Sequence, residues 1–492
     1  MSPLDATFLH IENDVSQMHI ASVGIFEGRE PPFPDIVAMI ESKLALVPRY
    51  RRVVRHVPFE LGRPVWVDDP HFNIEYHLRH TALPAPGGEA ELRKLVGRVM
   101  SQPLDRARPL WEIWVVQGLE DGHWALLAKT HHAMVDGVSG TDLLALIMDV
   151  SAEPVTPLPV HWTPEPAPSA VRLASEASLG LLTSPYEQIQ AVRSAAAVPL
   201  QALTELREVI KGLSALFGVV RRTPPSSLNG PVGPHRRYAW ASTSVTDIKA
   251  IRRTLGGTFN DVVLAAITNG FRELLLARGE SVDRMVRSLV PVSVRPRDDQ
   301  GRAIGDGTLQ NKVSAMFAEL PVSIVDATER LYAVSLQMDG LKESKQALAG
   351  EALTSMSGFA PPMLLALGMR LSGHLAQRNV NTVTTNVPGP QIPLYVCGRR
   401  MLKAFPYVPL AGQVRIGVAI FSYNGEVNFG ITGDYDTTAD IDVLCRGVED
   451  GVKQLLKAGD RSEAGPSDSD GGHRQKLGSV SDLPHQDDDG EP

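Results

Sequence analysis

Apolar and polar positions alternate in patches that predict a mixed chain of strands and helices. Trp111 to Leu119 reads as a strand, Glu120-Asp121-Gly122 as a turn, and His123 to Thr130 as the return strand of a hairpin. The period then changes. Leu143, Leu144, Ile147 and Val150 recur at helical spacing over Val138 to Val150, with Ser139 and Asp142 at capping-box distance. Further along, Phe259 to Arg278 predicts a helix capped by Thr258 or Asn260. Met285 to Val294 and Lys312 to Leu320 predict strands. Ser323 to Lys345 and Ala352 to Arg378 predict helices, the second bent after its prolines. Val380 to Asn386 reads as a strand stopped by Pro388-Gly389-Pro390. Val414 to Tyr423 and Val427 to Thr432 flank Asn424-Gly425, a two-residue hairpin signal, and a last helix covers Ala439 to Ala458.

Between these blocks lie breaks. Six prolines between 153 and 170 exclude a helix or a central strand there and read as a connector. Ala170 to Phe217 has helical spacing broken by Pro185 and Pro199, and Pro224 to Pro234 is rich in turn residues. The expected organisation is a first half over 1–155, a linker with helical segments over 156–236, a second half over 237–459 and a disordered acidic tail over 460–492. Each half mixes strands and helices without βαβ alternation, so an α+β fold is favoured over a doubly wound one.

Composition narrows the class. The chain has 492 residues, 43% hydrophobic and 21% charged, which is ordinary for a globular protein with a large core. The net charge of −8 is uneven: from Asp460 onward nine acidic residues stand against three basic ones, so the body is close to neutral. Nucleic acid is therefore not an expected partner. Cys397 and Cys445 are too few for a disulfide framework, which fits a reducing compartment. The N-terminus carries no signal-peptide pattern, and no uncharged apolar run is long enough to span a bilayer. The apolar stretch around Met363 to Leu371 is expected in the core rather than on a membrane.

The candidate chemistry sits at the end of the first hairpin, in His131-His132-Ala133-Met134-Val135-Asp136-Gly137. An imidazole can take a proton from a hydroxyl near neutral pH, so acyl transfer is the first reaction to consider. Adjacent residues of a strand point to opposite faces, which argues against both rings binding one metal ion. By the same argument only one of the two rings faces the substrate; His132 is preferred for that role, with His131 turned inward as support. Asp136 could orient an imidazole as a triad carboxylate. A structural ion pair with Arg295, at the end of a strand in the second half, is the preferred role. Gly137 permits a tight turn. No GxSxG elbow occurs and neither cysteine looks reactive, so direct transfer is favoured over a covalent acyl-enzyme.

These residues match the HHxxxDG motif of the CoA-dependent acyltransferase superfamily. Ser2-Pro3-Leu4-Asp5-Ala6, Pro109-Leu110-Trp111-Glu112, Phe259 to Ala266, Val290 to Arg295, Asn311-Lys312-Val313-Ser314 and Asn386 to Pro390 narrow it further. Together they resemble the bacterial wax ester synthase/diacylglycerol acyltransferase family. The resemblance implies two chloramphenicol-acetyltransferase-like halves in one chain, with a tunnel at their interface. It implies His132 as general base, a structural Asp136, acyl-CoA as substrate, and no metal or redox cofactor. The acceptor would be diacylglycerol, a long-chain alcohol or both. A cytoplasmic protein peripherally associated with a membrane or lipid droplet is expected, through amphipathic helices in the 170–220 region.

Other positions carry two readings each. Pro109, Leu110 and Trp111 either line an acyl channel or begin a core strand. Asn260 is either a helix cap or a substrate contact. Thr384, Thr385 and Asn386 either donate to the tetrahedral oxyanion or simply end a strand. A condensation-type enzyme with a carrier-bound donor and a non-catalytic lipid-surface protein are the alternative functions.

Overall fold

Two six-stranded sheets dominate the computed structural model, which describes residues 1–135, 147–154, 162–177, 225–293, 313–343 and 380–463. The first half contributes α1 (Pro3–Ile11), β1 (His19–Phe26), α2 (Phe33–Leu44), β2 (Arg52–Arg55), β3 (Val65–Asp68), α3 (Ile74–His77), β4 (Leu78–Ala82), α4 (Glu89–Met100), β5 (Trp111–Gln117) and β6 (Trp124–His131). The second contributes β7 (Arg236–Ser244), α5 (Val245–Leu255), α6 (Phe259–Ala277), β8 (Val286–Ser293), β9 (Val313–Leu320), α7 (Ala327–Glu343) and β10 (Thr382–Pro388). It continues with β11 (Tyr395–Val396), β12 (Arg399–Tyr407), β13 (Ile416–Tyr423), β14 (Glu426–Asp434) and α8 (Ile441–Glu463).

Strand order is β11-β12-β1-β6-β5-β4 in the first sheet and β7-β14-β13-β10-β8-β9 in the second; β2 and β3 form a separate pair. The predicted 111–130 hairpin is present as β5 and β6, closed through Asp121 and Gly122 at positive φ. The Asn424-Gly425 hairpin joins β13 to β14, with both turn residues at positive φ.

One boundary differs from the expected division. β11 and β12 fall inside 237–459 in sequence but belong to the first sheet, with β12 antiparallel to β1. Strand pairing is non-local, so periodicity reveals a strand without revealing its neighbour. This exchanged ribbon closes the seam between halves. Phe405 of β12 stacks on Trp240 of β7 at 4.4 Å, and the Tyr238 hydroxyl donates to Pro406 O at 2.7 Å. Gly430 of β14 lies directly against that carbonyl, where any side chain would collide.

Helix ends also shift. Thr258, not Asn260, caps α6: its hydroxyl accepts from Asp261 N while the Asp261 carboxylate accepts from Thr258 N at 2.8 Å. α6 is apolar around most of its circumference because it is enclosed by the second sheet and by α7 and α8. α8 starts two residues after the expected Ala439 and runs on through Glu463, past the point where the acidic tail was expected to begin. Its buried stripe of Ile441, Leu444, Cys445, Val448, Val452 and Leu455 follows the helical period and drives that docking. The predicted helices over Val138 to Val150 and Ala352 to Arg378 lie mostly or wholly outside the described residues, as does most of the 156–236 linker.

Candidate active site

β6 places the two histidines. Its eight residues are buried, and its antiparallel register sets His131 directly opposite His19 of β1. Backbone bonds from His131 N to Leu110 O (2.9 Å) and from His132 N to Met18 O (2.8 Å) hold the strand end on both sides. The chain then turns through a short 3-10 segment, His132–Met134, which is capped by the His131 ring: its Nδ1 accepts from Ala133 N at 3.0 Å. That bond leaves the proton of a neutral His131 on Nε2.

His131 is buried inward, while His132 remains partly exposed. The His132 ring stacks on Phe8 of α1, with centroids 3.9 Å apart. Its Nδ1 is closed off from solvent and has no partner among the described residues. Burial pushes the His132 imidazole down to about 4, helped by the neighbouring His131. The ring is therefore neutral at physiological pH, the form that can accept a proton.

Behind His131 lies a polar cluster centred on Glu12, the C-cap residue of α1. The Glu12 carboxylate accepts from Arg106 (2.5 and 3.1 Å) and from Met18 N (3.2 Å). Nε2 of His19 and of His131 lie 3.2 and 3.5 Å from its oxygens, in electrostatic contact but out of line for hydrogen bonds. Burial alone would raise the Glu12 carboxyl; the two imidazoles against it reverse the sign and hold it well below the carboxylate range. His19 is pushed down to about 4 by burial, with Glu12 pulling in the other direction. On the same strand face, the buried Lys129 ammonium donates to Val99 O, Gln102 O and Glu112.

The second half contributes a separate group. β10 pairs in parallel with β13 along its whole length but with β8 only at Thr382 and Val383. Beyond Val383 the two strands part. Ser288 Oγ donates to the buried Thr384 hydroxyl at 2.8 Å beside that opening. Asn386 Nδ2, farther along, donates to Asn260 Oδ1 at 3.3 Å. Thr385 alternates to the other face and is partly exposed. No hydrogen bond or ion pair joins this group to His131 or His132 among the described residues.

Two domain models match the chain. The wax ester synthase/diacylglycerol acyltransferase catalytic domain covers residues 1–263, and the C-terminal domain of the same family covers 309–456. The chain belongs to this family. A probable diacylglycerol O-acyltransferase of Mycobacterium tuberculosis is 38% identical over 460 residues, 93% of this chain and 95% of the relative. The wax ester synthase/diacylglycerol acyltransferase of Marinobacter aquaeolei VT8 superposes with a TM-score of 0.64 at 24% identity, covering 94% of this chain and all of that one. A trichothecene 15-O-acetyltransferase from Fusarium sporotrichioides has the same fold, with a TM-score of 0.58 at 12% identity over 92% of this chain and 94% of its own.

In this acyltransferase the sequence-predicted residues fall into three sets. His131, His132, Pro109, Leu110 and Trp111 come together. Pro109, Leu110 and Trp111 are buried core residues: the Trp111 indole donates to Tyr50 O at 2.7 Å and stacks on His77 at 4.4 Å. Asn260, Thr384, Thr385 and Asn386 gather at the splayed strand. Asp136, Gly137 and Arg295 lie outside the described residues, so their proposed pairing does too. Sequence reasoning missed Phe8, Glu12, His19 and Arg106. Their signal was faint: a lone carboxylate and a lone histidine flanking a turn beyond the Ser2 to Ala6 anchor, and an arginine ahead of Pro109.

Proposed function

We propose that the protein moves a long-chain acyl group from acyl-CoA to the hydroxyl of diacylglycerol or of a long-chain alcohol, with His132 as general base. The observation that carries this reading is the His132 ring itself. It is neutral, only partly exposed, and pinned by Phe8 and by two backbone bonds at the end of β6. The family and the names of the relatives support the substrate classes.

In the reaction His132 takes the acceptor proton as the hydroxyl oxygen attacks the thioester carbonyl. The tetrahedral intermediate collapses with loss of the C–S bond, and the imidazolium returns its proton to the CoA thiolate. An ester and free CoA leave, so charge and protons balance without a metal or redox cofactor. His131 acts one step removed, as the cap of the turn. The amide of Asn386, held by Asn260, is the candidate oxyanion donor, and the acyl chain would enter a tunnel between the two halves. Asp136 and Arg295 keep their proposed role as a structural pair.

No helix among the described residues is long and apolar enough to cross a membrane. A lipid acceptor nonetheless requires contact with a membrane or droplet surface, and peripheral, cytoplasmic attachment is part of this reading. The test follows thiol release from palmitoyl-CoA with diacylglycerol, hexadecanol or no acceptor. Acceptor-dependent release that falls by a factor of about 10²–10⁴ in His132→Ala is expected. Wild-type ester synthesis by that variant sinks the catalytic assignment.

A further inference from the structure

A cleft of about 700 Å³ lies away from the histidines, where α4 of the first half meets β7 and the start of α8. None of His131, His132, Asn260 or Asn386 lines it. Its wall carries Arg93, Lys94, Arg98, Arg236 and Arg237 against a single carboxylate, Asp442. Five cations facing one acid repel each other, and folding alone does not reward that arrangement.

Some of these charges are already used. Arg93 pairs with Asp442 (3.3 Å) and Glu89 (3.0 Å) and lies over the Trp240 ring. Arg236 is buried and donates to the carbonyls of Gly233, His235 and Val15. Arg237 spends its Nε on Tyr435 O at 2.7 Å, over that ring. Lys94 and Arg98 differ. They are exposed, one helical turn apart on the face of α4 that lines the cleft, and neither has an ion-pair or hydrogen-bond partner among the described residues. Asp442, the one acid present, is already taken by Arg93.

The backbone keeps the two walls close. At Gly97, between Lys94 and Arg98, a Cβ would stand 2.7 Å from Arg236 O, so α4 and β7 touch there and bring Arg237 across from the free pair. Guanidinium groups and an ammonium converging from a helix and a strand suit tetrahedral oxyanions, which accept several charge-assisted bonds at once.

We propose that this cleft binds a phosphate group, carried either by an anionic glycerolipid headgroup or by a soluble phosphate ester. Because its two walls come from different halves of the chain, a bound phosphate would bridge the seam.

The full chain is tested for flotation with phosphatidylcholine vesicles, with and without phosphatidylglycerol. In parallel its melting temperature is measured against inorganic phosphate and against CoA at constant ionic strength. The double variant Lys94→Gln/Arg98→Gln is compared with wild type and with Lys249→Gln/Lys457→Gln, which removes equal charge from exposed positions on α5 and α8. At least one probe should bind wild type about tenfold more tightly than the cleft variant, with the control pair unchanged. Retention on phosphatidylglycerol that the cleft variant loses assigns the headgroup. A response to phosphate or CoA that the cleft variant loses assigns the soluble ester, whereas a CoA response equal in wild type and cleft variant belongs to the histidine site and, with no other probe affected, overturns the proposal. Binding of no probe by wild type overturns the proposal, and so does an equal loss in both variants, which is diffuse attraction. Should the double variant unfold, the single variants Lys94→Gln and Arg98→Gln serve, each expected to weaken binding about threefold.

Discussion

His132 is kept neutral by burial, and no carboxylate partners it among the described residues; as the proposed general base it is available but weakened. A ring held down to about 4 stays neutral well into acid. The acid limb of kcat/KM should therefore fall below pH 5.5 and not near the 6.5 of a free histidine. Rates measured after brief pH jumps, before any unfolding, check this; a limb centred near 6.5 would mean that substrate binding reverses the burial effect. Glu12 makes the second residue-scale prediction. Its carboxyl is lowered on folding, so it contributes stability above its ordinary value of about 4.5, and the contribution fades as pH drops below that. Glu12→Gln should cost about 1–3 kcal/mol at pH 7 in urea unfolding, because the Arg106 guanidinium loses its counter-charge. The gap to wild type should narrow below pH 4.5. Turnover should fall less than in His132→Ala, since Glu12 reaches the reacting ring only through His131 and the turn it caps.

Among the elements, β12 and β14 meet at one very close backbone contact. The β12 carbonyl at Pro406 lies where a side chain on Gly430 would have to stand. Gly430→Ala must push β14 away from β12, separating the two sheets. A loss of about 2–4 kcal/mol in urea unfolding is expected. An unchanged midpoint would show that the seam yields freely. The α6 cap is a milder case: Thr258→Ala removes one side of the capping box and should cost about 1 kcal/mol. Asn260→Ala should not weaken the cap at all, because its side chain faces Asn386 instead.

For the molecule as a whole, acid is the main threat. His19 and His77 are each pushed down to about 4 by burial, against the Glu12 carboxylate beside His19 and a backbone bond to Trp111 O at His77, which partly support the charged form. The unfolded chain takes up protons as pH falls through 6.5, while the folded chain resists until about 4. Stability is thus lost across that window, on the order of 2 kcal/mol per histidine between pH 7 and 5. Urea midpoints over this range should drop steadily. A flat profile would mean that these rings accept protons in the folded state, with Glu12 as the ready partner for His19.

Much of this architecture was legible along the chain. Period and turn chemistry located the β5–β6 and β13–β14 hairpins, α6 and the start of β10, because these features rest on residues close in sequence. The HHxxxDG residues, with the other anchors, pointed to the acyltransferase family, and the structure buries His131 while leaving His132 partly exposed. Only the tertiary structure decided which strands sit side by side. It sent β12 into the first sheet, set His19 across from His131, brought Glu12 and Arg106 behind them, and paired Asn260 with Asn386. Each of those contacts joins segments far apart in the chain. Local pattern fixes the faces of an element, but the partner a face meets depends on how the whole core closes.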